Sequence, residues 1–226
     1  PEIQEQYAFF RRTVFRNAGE ITEEFLVNQL KEQVQVLCIL NSRKKVQQIF
    51  NEIKELEGTY HLSTFMYPRH RKKVLAEIRN RLKMGLPCRL IATSLVEAGV
   101  DFDFPTVFRE MAGVDSMIQA AGRCNRHKEL GRMGAVYIVQ MSQEAEKLEH
   151  LREIRNAQAA LQKVLDDFKH DKKKFNYALD SEIAIKFYYS VYHTQLRKSE
   201  TKFPVEVYNV PVTLVDLLGK NQTGRN

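Results

Sequence analysis

Several patterns that would settle a function at once are missing. No stretch of about 18 apolar residues occurs, and no positively charged leader precedes an apolar segment. The sequence therefore predicts neither a membrane span nor a secretory signal, and it points to a cytoplasmic protein. Cys38, Cys88 and Cys124 are too few and too widely spaced for a disulfide framework or a zinc site, so they are read as reduced thiols. A nucleotide-driven motor needs a glycine-rich loop ending in Gly-Lys-Ser/Thr, together with an acidic pair for Mg²⁺. Gly219-Lys220 has no glycine five residues ahead of it, and Asp180-Ser181-Glu182 follows no buried strand. The dinucleotide fingerprint G-x-G-x-x-G is absent too, which argues against a Rossmann oxidoreductase. His170-Asp171 stands without further histidine and carboxylate ligands at a suitable spacing, so no metal site and no nuclease centre are assigned.

What is present is enough for a sizeable core. The chain has 226 residues, 43% of them hydrophobic, and a formal net charge of +7 with a pI near 9.3. Such a balance favours a polyanionic partner and says little about fold. Tyr7 to Val14 is β-prone, with Asn17 to Gly19 breaking it, and Thr22 is placed to cap a helix through Lys31 that buries Phe25, Leu26 and Leu30. Val34 to Leu40 is a continuous apolar run of the kind that forms a strand buried on both faces. A helix follows with Val46, Ile49, Phe50, Ile53 and Leu56 at helical spacing. Tyr60 to Ser63 is the next strand. Pro68-Arg69-His70-Arg71-Lys72-Lys73 then opens a helix whose stripe is Val74, Ile78 and Leu82. Cations in a first helical turn oppose the helix dipole, so this cluster points to an external anion. Further strands are expected at Cys88 to Ala92, Thr106 to Phe108 and Gly134 to Gln140. Strands alternating with helices over short links predict a largely parallel sheet covered on both faces.

Beyond the sheet, Glu144 to Phe168 reads as a long helix with Leu148, Leu151, Ile154, Leu161, Val164, Leu165 and Phe168 on one stripe, packed against the preceding unit. Phe187, Tyr188, Tyr189 and Tyr192 are read as core, with base stacking as the alternative. Pro204 and Pro211 punctuate an extended tail, and Thr213 to Leu218 would begin another element. The opening at Pro1 without methionine and this ending both suggest a piece of a longer chain.

Two stretches carry most of the functional information. Ala92-Thr93-Ser94-Leu95-Val96 runs from a strand end into a short turn that Gly99 could close, and the segment continues through Asp101 to Phe104. Strand ends of this kind bind phosphates and nucleotides in open α/β sheets. The second stretch, Gln119 to Arg126, reads QAAGRCNR. Continued as one helix from Gly113, it would place Asp115, Gln119, Gly122 and Arg126 on one face with Arg123 beside them. Gly122 inside such a helix suggests close approach of another group. Two arginines three residues apart suit a polyphosphate.

These stretches resemble the last two motifs of superfamily 2 helicases. The wording LVEAGVDFDFP and QAAGRCNR resembles the CRISPR-associated helicase-nuclease of type I interference systems, over roughly residues 35–140. That resemblance implies an α/β, RecA-like, mostly parallel sheet with helices on both faces, the second of two such domains, plus a helical C-terminal extension. It divides the chain into a leading segment 1–20, the RecA-like domain 21–142, the helical extension 143–200, and a linker 201–226 towards a further domain.

The resemblance also implies roles. Arg123 and Arg126 would reach across an interdomain cleft to ATP as arginine fingers, and Gln119 would couple nucleotide to DNA. Gly99 and Asp101 would lie on the nucleotide side. Asn41, Ser42, Arg43, Ser63, Thr64, Arg69, His70, Arg71, Thr93 and Ser94 would hold the DNA backbone; Ser42 could equally cap the following helix. One departure is that the glycine expected soon after Arg126 comes only at Gly131. ATP and Mg²⁺ would be bound mainly by a first RecA-like domain outside this chain, so the chain alone is not expected to be catalytic. The implied partners are single-stranded DNA, the first RecA-like and nuclease domains, and a CRISPR effector complex, in antiviral defence. Two alternatives stay open: the same domain of another superfamily 2 RNA or DNA helicase, or a stand-alone nucleic-acid-binding domain.

Overall fold

The computed structural model describes residues 12–62, 66–96, 100–127, 130–141, 152–199, 204–207 and 210–213. Six strands form one all-parallel sheet: β1 (Thr13–Ile21), β2 (Gln35–Ile39), β3 (Thr59–Leu62), β4 (Cys88–Ala92), β5 (Thr106–Glu110) and β6 (Gly134–Met141), in the order β1-β6-β5-β2-β4-β3. The helices are α1 (Glu23–Glu32), α2 (Arg43–Ile53), α3 (Pro68–Lys83), α4 (Val114–Ala121), α5 (Arg152–His170) and α6 (Glu182–Ser199). A separate antiparallel hairpin joins β7 (Pro204–Val207) to β8 (Val210–Thr213), where the sequence suggested only an extended tail. No described helix is long and apolar enough to cross a membrane.

The central strand shows why the sheet is covered twice. Val36, Cys38 and Leu40 point into a core with Leu26, Leu30, Val46, Ile49 and Ile53 of α1 and α2, while Leu37 and Ile39 point into the opposite core with Ile78, Phe102, Phe104 and Ala120. Side chains alternate along a strand, so an unbroken apolar run supplies both cores at once. Burial pushes the thiols of Cys88 and Cys124 up to about 12, and that of Cys38 upward as well, so all three are neutral at ordinary pH.

Helix ends are satisfied locally. The Thr22 hydroxyl accepts the Phe25 N–H at 3.1 Å, and Glu23 and Glu24 complement the positive end of α1. At the other end of α1, Arg89 donates to the carbonyls of Leu30 and Lys31. Gln35 donates to the carbonyls of Arg81, Leu82 and Leu86 at the end of α3. These bonds satisfy carbonyls that a helix cannot satisfy itself, and they lock two helices to the sheet.

Three expectations differ from what is found. Asn17 to Gly19 does not break the first strand: β1 runs through it, and the register against β6 shifts between Asn17 and Gly19 as a bulge. The part of the expected Tyr7 to Val14 strand before Arg12 lies outside the described residues. Phe25 is exposed and Val27 is buried beside Leu26 and Leu30 in its place. Leu56 falls beyond the end of α2 and is exposed. Of the long-helix stripe, Leu148 and Leu151 lie outside the described residues, while Leu161, Val164 and Leu165 are buried against Met111, Val114, Met117 and Ile138. Phe187, Tyr188, Tyr189 and Tyr192 join that same core, as the sequence indicated.

The turn before β3 depends on Gly58. Its φ is +73°, and a Cβ there would lie 1.9 Å from the Pro87 carbonyl oxygen, whereas Gly85, also left-handed at +68°, has nothing within 4 Å of the same position. Gly58→Ala should therefore cost about 3 kcal/mol or more, combining left-handed strain with a backbone clash, while Gly85→Ala should cost only about 1–2 kcal/mol. Thermal melting of the two variants checks this; equal losses would show that the Pro87 contact does not govern the turn.

Candidate nucleotide-side arginines and strand-end face

Three neighbouring strands, β4, β2 and β5, end side by side at Ala92, Ile39 and Glu110, and Thr93, Asn41 and Met111 lie just beyond those ends. The chain leaves β2 for β3 on one side and leaves the adjacent β5 for β6 on the other, so the carboxyl ends of β2 and β5 flank the topological switch where α/β sheets form ligand crevices.

Asn41 is a strut at this edge. Its backbone N–H donates to Glu110 Oε2 at 2.7 Å, its Nδ2 to the Met111 carbonyl at 2.9 Å, and its Oδ1 accepts from Arg109 at 2.7 Å. Glu110 Oε1 also holds the Lys45 ammonium at 2.8 Å. Arg109 and Glu110 are buried, and charges in that position are tolerated only when paired and hydrogen-bonded. Sequence reading missed both, because they close the apolar strand TVFRE; an adjacent Arg-Glu pair at a strand's carboxyl end was the available signal. The Ser42 hydroxyl accepts the Lys45 N–H at 3.5 Å, so capping of α2 is one of its two expected roles. Arg43 is exposed at the first position of α2.

Thr93 is buried and donates its N–H to the Leu62 carbonyl, and Ser94 follows exposed at the start of a 3₁₀ turn, Ser94–Val96. The helix α3 begins at Pro68 with no side-chain cap and no acid in its first turn. Arg69 and His70 are exposed there and Arg71 is half-buried. Burial first, and the charge of His70 second, lowers the pKa of His61. Ser63, Thr64 and Gly99 lie outside the described residues.

The arginine stretch differs from the expected continuous helix. Helix α4 stops at Ala121, with Gly122 as its C-cap, so Asp115, Gln119, Gly122 and Arg126 do not share one helical face. The cause is tertiary. Cys124 forms a parallel bridge with Phe104: the Phe104 N–H donates to the Arg123 carbonyl at 2.9 Å and the Asn125 N–H to the Phe104 carbonyl at 3.0 Å. Asn125 turns the chain at φ 47° and donates to the carbonyls of Arg12 and Arg132. Gly122 accordingly marks a helix end rather than a neighbour's close approach; a Cβ on it would meet the carbonyl oxygens of Gln119 at 3.0 Å and Ile118 at 3.6 Å, both from the preceding turn. Gln119 remains on α4, exposed.

The turn still brings the arginines together. Arg123 Nε donates to the Val96 carbonyl at 3.1 Å, tying this turn to the one after β4. Arg126 reaches Asp101 at 3.2 Å, both side chains being partly open to solvent. Burial lowers the Arg123 pKa, the Arg126 charge lowers it further, and Asp101 opposes both. Asp103 fixes the backbone: its two oxygens accept the N–H groups of Arg126 at 2.7 Å and His127 at 3.0 Å. Two guanidinium groups held close on a fixed turn form a locus for anionic oxygens.

A parallel six-stranded sheet with helices on both faces is an α/β, RecA-like fold, and here its arginine turn is coupled to the turn after β4. Residues 32–129 match the family model described as CRISPR-associated nuclease/helicase Cas3, C-terminal. The chain resembles the second RecA-like domain of a Cas3-like helicase. It is 35% identical over 120 residues to the CRISPR-associated nuclease/helicase Cas3 of Haloferax volcanii, covering 50% of this chain and 13% of that protein. The chain thus spans about an eighth of this relative. The crystal structure of T. fusca Cas3-ADP superposes with a TM-score of 0.64 at 14% identity, covering 84% of this chain and 25% of that one. A structure described as a CRISPR RNA-guided surveillance complex, pre-nicking, matches at 0.61 with 19% identity, covering 81% and 25%. At these identities the structural matches bear on fold.

Removing Asp103 tests the local architecture. Asp103→Ala deletes two charge-assisted bonds to the arginine turn and should cost about 2 kcal/mol. Amide hydrogen exchange should accelerate at Arg126 and His127 while α1 stays protected; unchanged exchange there would show that the turn is held by other contacts.

Proposed function

We propose that this chain is the second motor domain of an ATP-dependent single-stranded-DNA translocase, part of a helicase-nuclease acting in type I CRISPR interference. The observation that carries the reading is the Arg123–Arg126 turn, fixed by Asp103 and linked through the Val96 carbonyl to the turn after β4. The family match over residues 32–129 supports it, as does the name of the Haloferax volcanii relative.

In this reading Arg126 rests on Asp101 and turns to a polyphosphate presented by the first motor domain, with Arg123 beside it. The guanidinium forks fit phosphate oxygens. Mg²⁺ is held mainly by that other domain in this reading. Bound nucleotide supplies the anionic charge; this chain supplies the cations that stabilise it. Gln119, exposed on α4 just ahead of the turn, couples the nucleotide side to DNA. The DNA backbone runs along the strand ends, contacted by Ser42, Arg43, Thr93 and Ser94, and reaches the uncapped start of α3 at Arg69, His70 and Arg71. Asn41 serves that path by holding the loop in place. A surveillance complex is the partner class that the structural neighbour's description suggests.

In the full-length parent, Arg126→Ala should lower ATP turnover by about 10³ to 10⁵. Arg126→Lys should restore little, since an ammonium lacks the planar fork. Loss of the Asp101 pair should change stability by only about 0.2–1 kcal/mol, as for other exposed ion pairs. Single-turnover hydrolysis and a melting curve on one sample check both, and near-normal turnover by a stable variant defeats the assignment.

For the chain itself, binding to single-stranded DNA should be weak and salt-sensitive. Replacing Arg69 and Arg71 by alanine should reduce the slope of log K against log salt by about 1.4, at roughly 0.7 per phosphate contact. An unchanged slope places the contact elsewhere.

A further inference from the structure

The turn joining α5 to α6 is fixed by its own bonds and leaves three nearby lysines without an ion pair among the described residues. Asp171 Oδ1 accepts the Lys174 N–H at 3.0 Å, and Asp167 takes the Lys174 ammonium at 2.7 Å. That ammonium also lies 5.1 Å from the Phe175 ring centroid and 4.5 Å from that of Phe187. Both acids of the turn are thus occupied. Lys169, Lys172 and Lys173 are exposed and form no ion pair among the described residues.

Tyr177 stands beside them. Its φ is 58°, directly after Asn176 at 53°, so two successive non-glycine residues occupy the left-handed region. The backbone is held there by Tyr177 N–H to the Lys172 carbonyl at 2.8 Å and Asn176 N–H to the Lys173 carbonyl at 3.0 Å, over Phe175, which is fully buried. A left-handed position suits glycine or asparagine. A tyrosine here is 64% exposed, so its ring gains little burial within the chain to offset the conformational cost. Strain without an internal return is a mark of a contact made outside the fold.

We propose that this turn is a second contact for single-stranded nucleic acid, with Lys169, Lys172 and Lys173 on the phosphates and the Tyr177 ring stacked on a base. Unpaired cations beside an exposed aromatic ring are the two components of single-strand binding. An acidic protein surface would use the lysines without the ring, and duplex DNA offers no unstacked base. The site rests on the function proposed above only for its ligand class; its residues lie on the helical extension, apart from the strand-end path.

Fluorescence anisotropy of the 226-residue chain with an oligothymidylate of about 20 nucleotides, over ~50–200 mM salt, tests it. Tyr177→Ala should weaken binding about tenfold, and Tyr177→Phe should retain it. Lys172→Ala with Lys173→Ala should lower the salt slope by about 1.4. Tyr177→Gly should weaken binding while raising the Tm by roughly 2–4 °C, opposite signs that misfolding cannot produce. Binding within twofold of the unaltered chain for Tyr177→Ala overturns the proposal, whatever the lysine variants do. A lysine effect without a tyrosine effect assigns the patch to a polyanion such as an acidic protein. Loss of slope in Arg69→Ala/Arg71→Ala alone leaves the strand-end reading standing and removes this one, and absence of all binding removes both.

Discussion

Glu110 is the point through which the working edge of the sheet is held. One carboxylate, buried at the end of β5, receives the Asn41 backbone N–H and the Lys45 ammonium, so the end of β2, the start of α2 and the end of β5 move as one body. The Met111 carbonyl beside it accepts both Asn41 Nδ2 and Gln158 Nε2, which brings α5 into the same assembly. Losing that carboxylate would leave the half-buried Lys45 ammonium and the Asn41 N–H without their partner, a larger penalty than the bonds themselves contribute. The strand-end loop is therefore held in place by the chain's own bonds.

The helical extension is part of this logic. Tyr188 is buried with its hydroxyl against Gly113, and Tyr189 donates to Asp115 at 2.5 Å. Both phenols meet the first turn of α4, which has no side-chain cap of its own. The Tyr189 hydroxyl, bonded to a carboxylate and partly buried, has its pKa pushed up to about 12 and stays a donor. An element distant in sequence thus orients the helix that leads into the arginine turn.

Much of the sheet was legible because its signals are local. Val34 to Leu40 announced a doubly buried strand, Thr22 announced a helix start, and Pro68 with its cations announced α3. The arginine motif was legible in its residues but not in its geometry. Helical periodicity carried past Gly122 placed Arg126 on the face of Gln119, whereas the bridge between Phe104 and Cys124 turns the chain away. That bridge joins segments some twenty residues apart, and no local propensity encodes it. The bulge at Asn17 and Gly19 was misread for the same reason: pairing with β6 overrides a turn-prone triplet. Arg109 and Glu110 were hidden because charge in a strand reads as exposure until a partner is known.

The pairing of β1 with β6 has a kinetic side. Thr13 finds its partner only at Gly134, at the opposite end of the sheet unit. At ribosomal rates of about 5–20 residues per second, β1 waits on the order of ten seconds for the strand that will receive it. During that interval β2, β3 and β4 can assemble from closer neighbours, while β1 and the exposed flank of β5 remain open to foreign pairing. Chaperone dependence during synthesis should thus concentrate on the two ends of this unit, and shortening the chain before β6 should leave an aggregation-prone intermediate rather than a smaller stable domain.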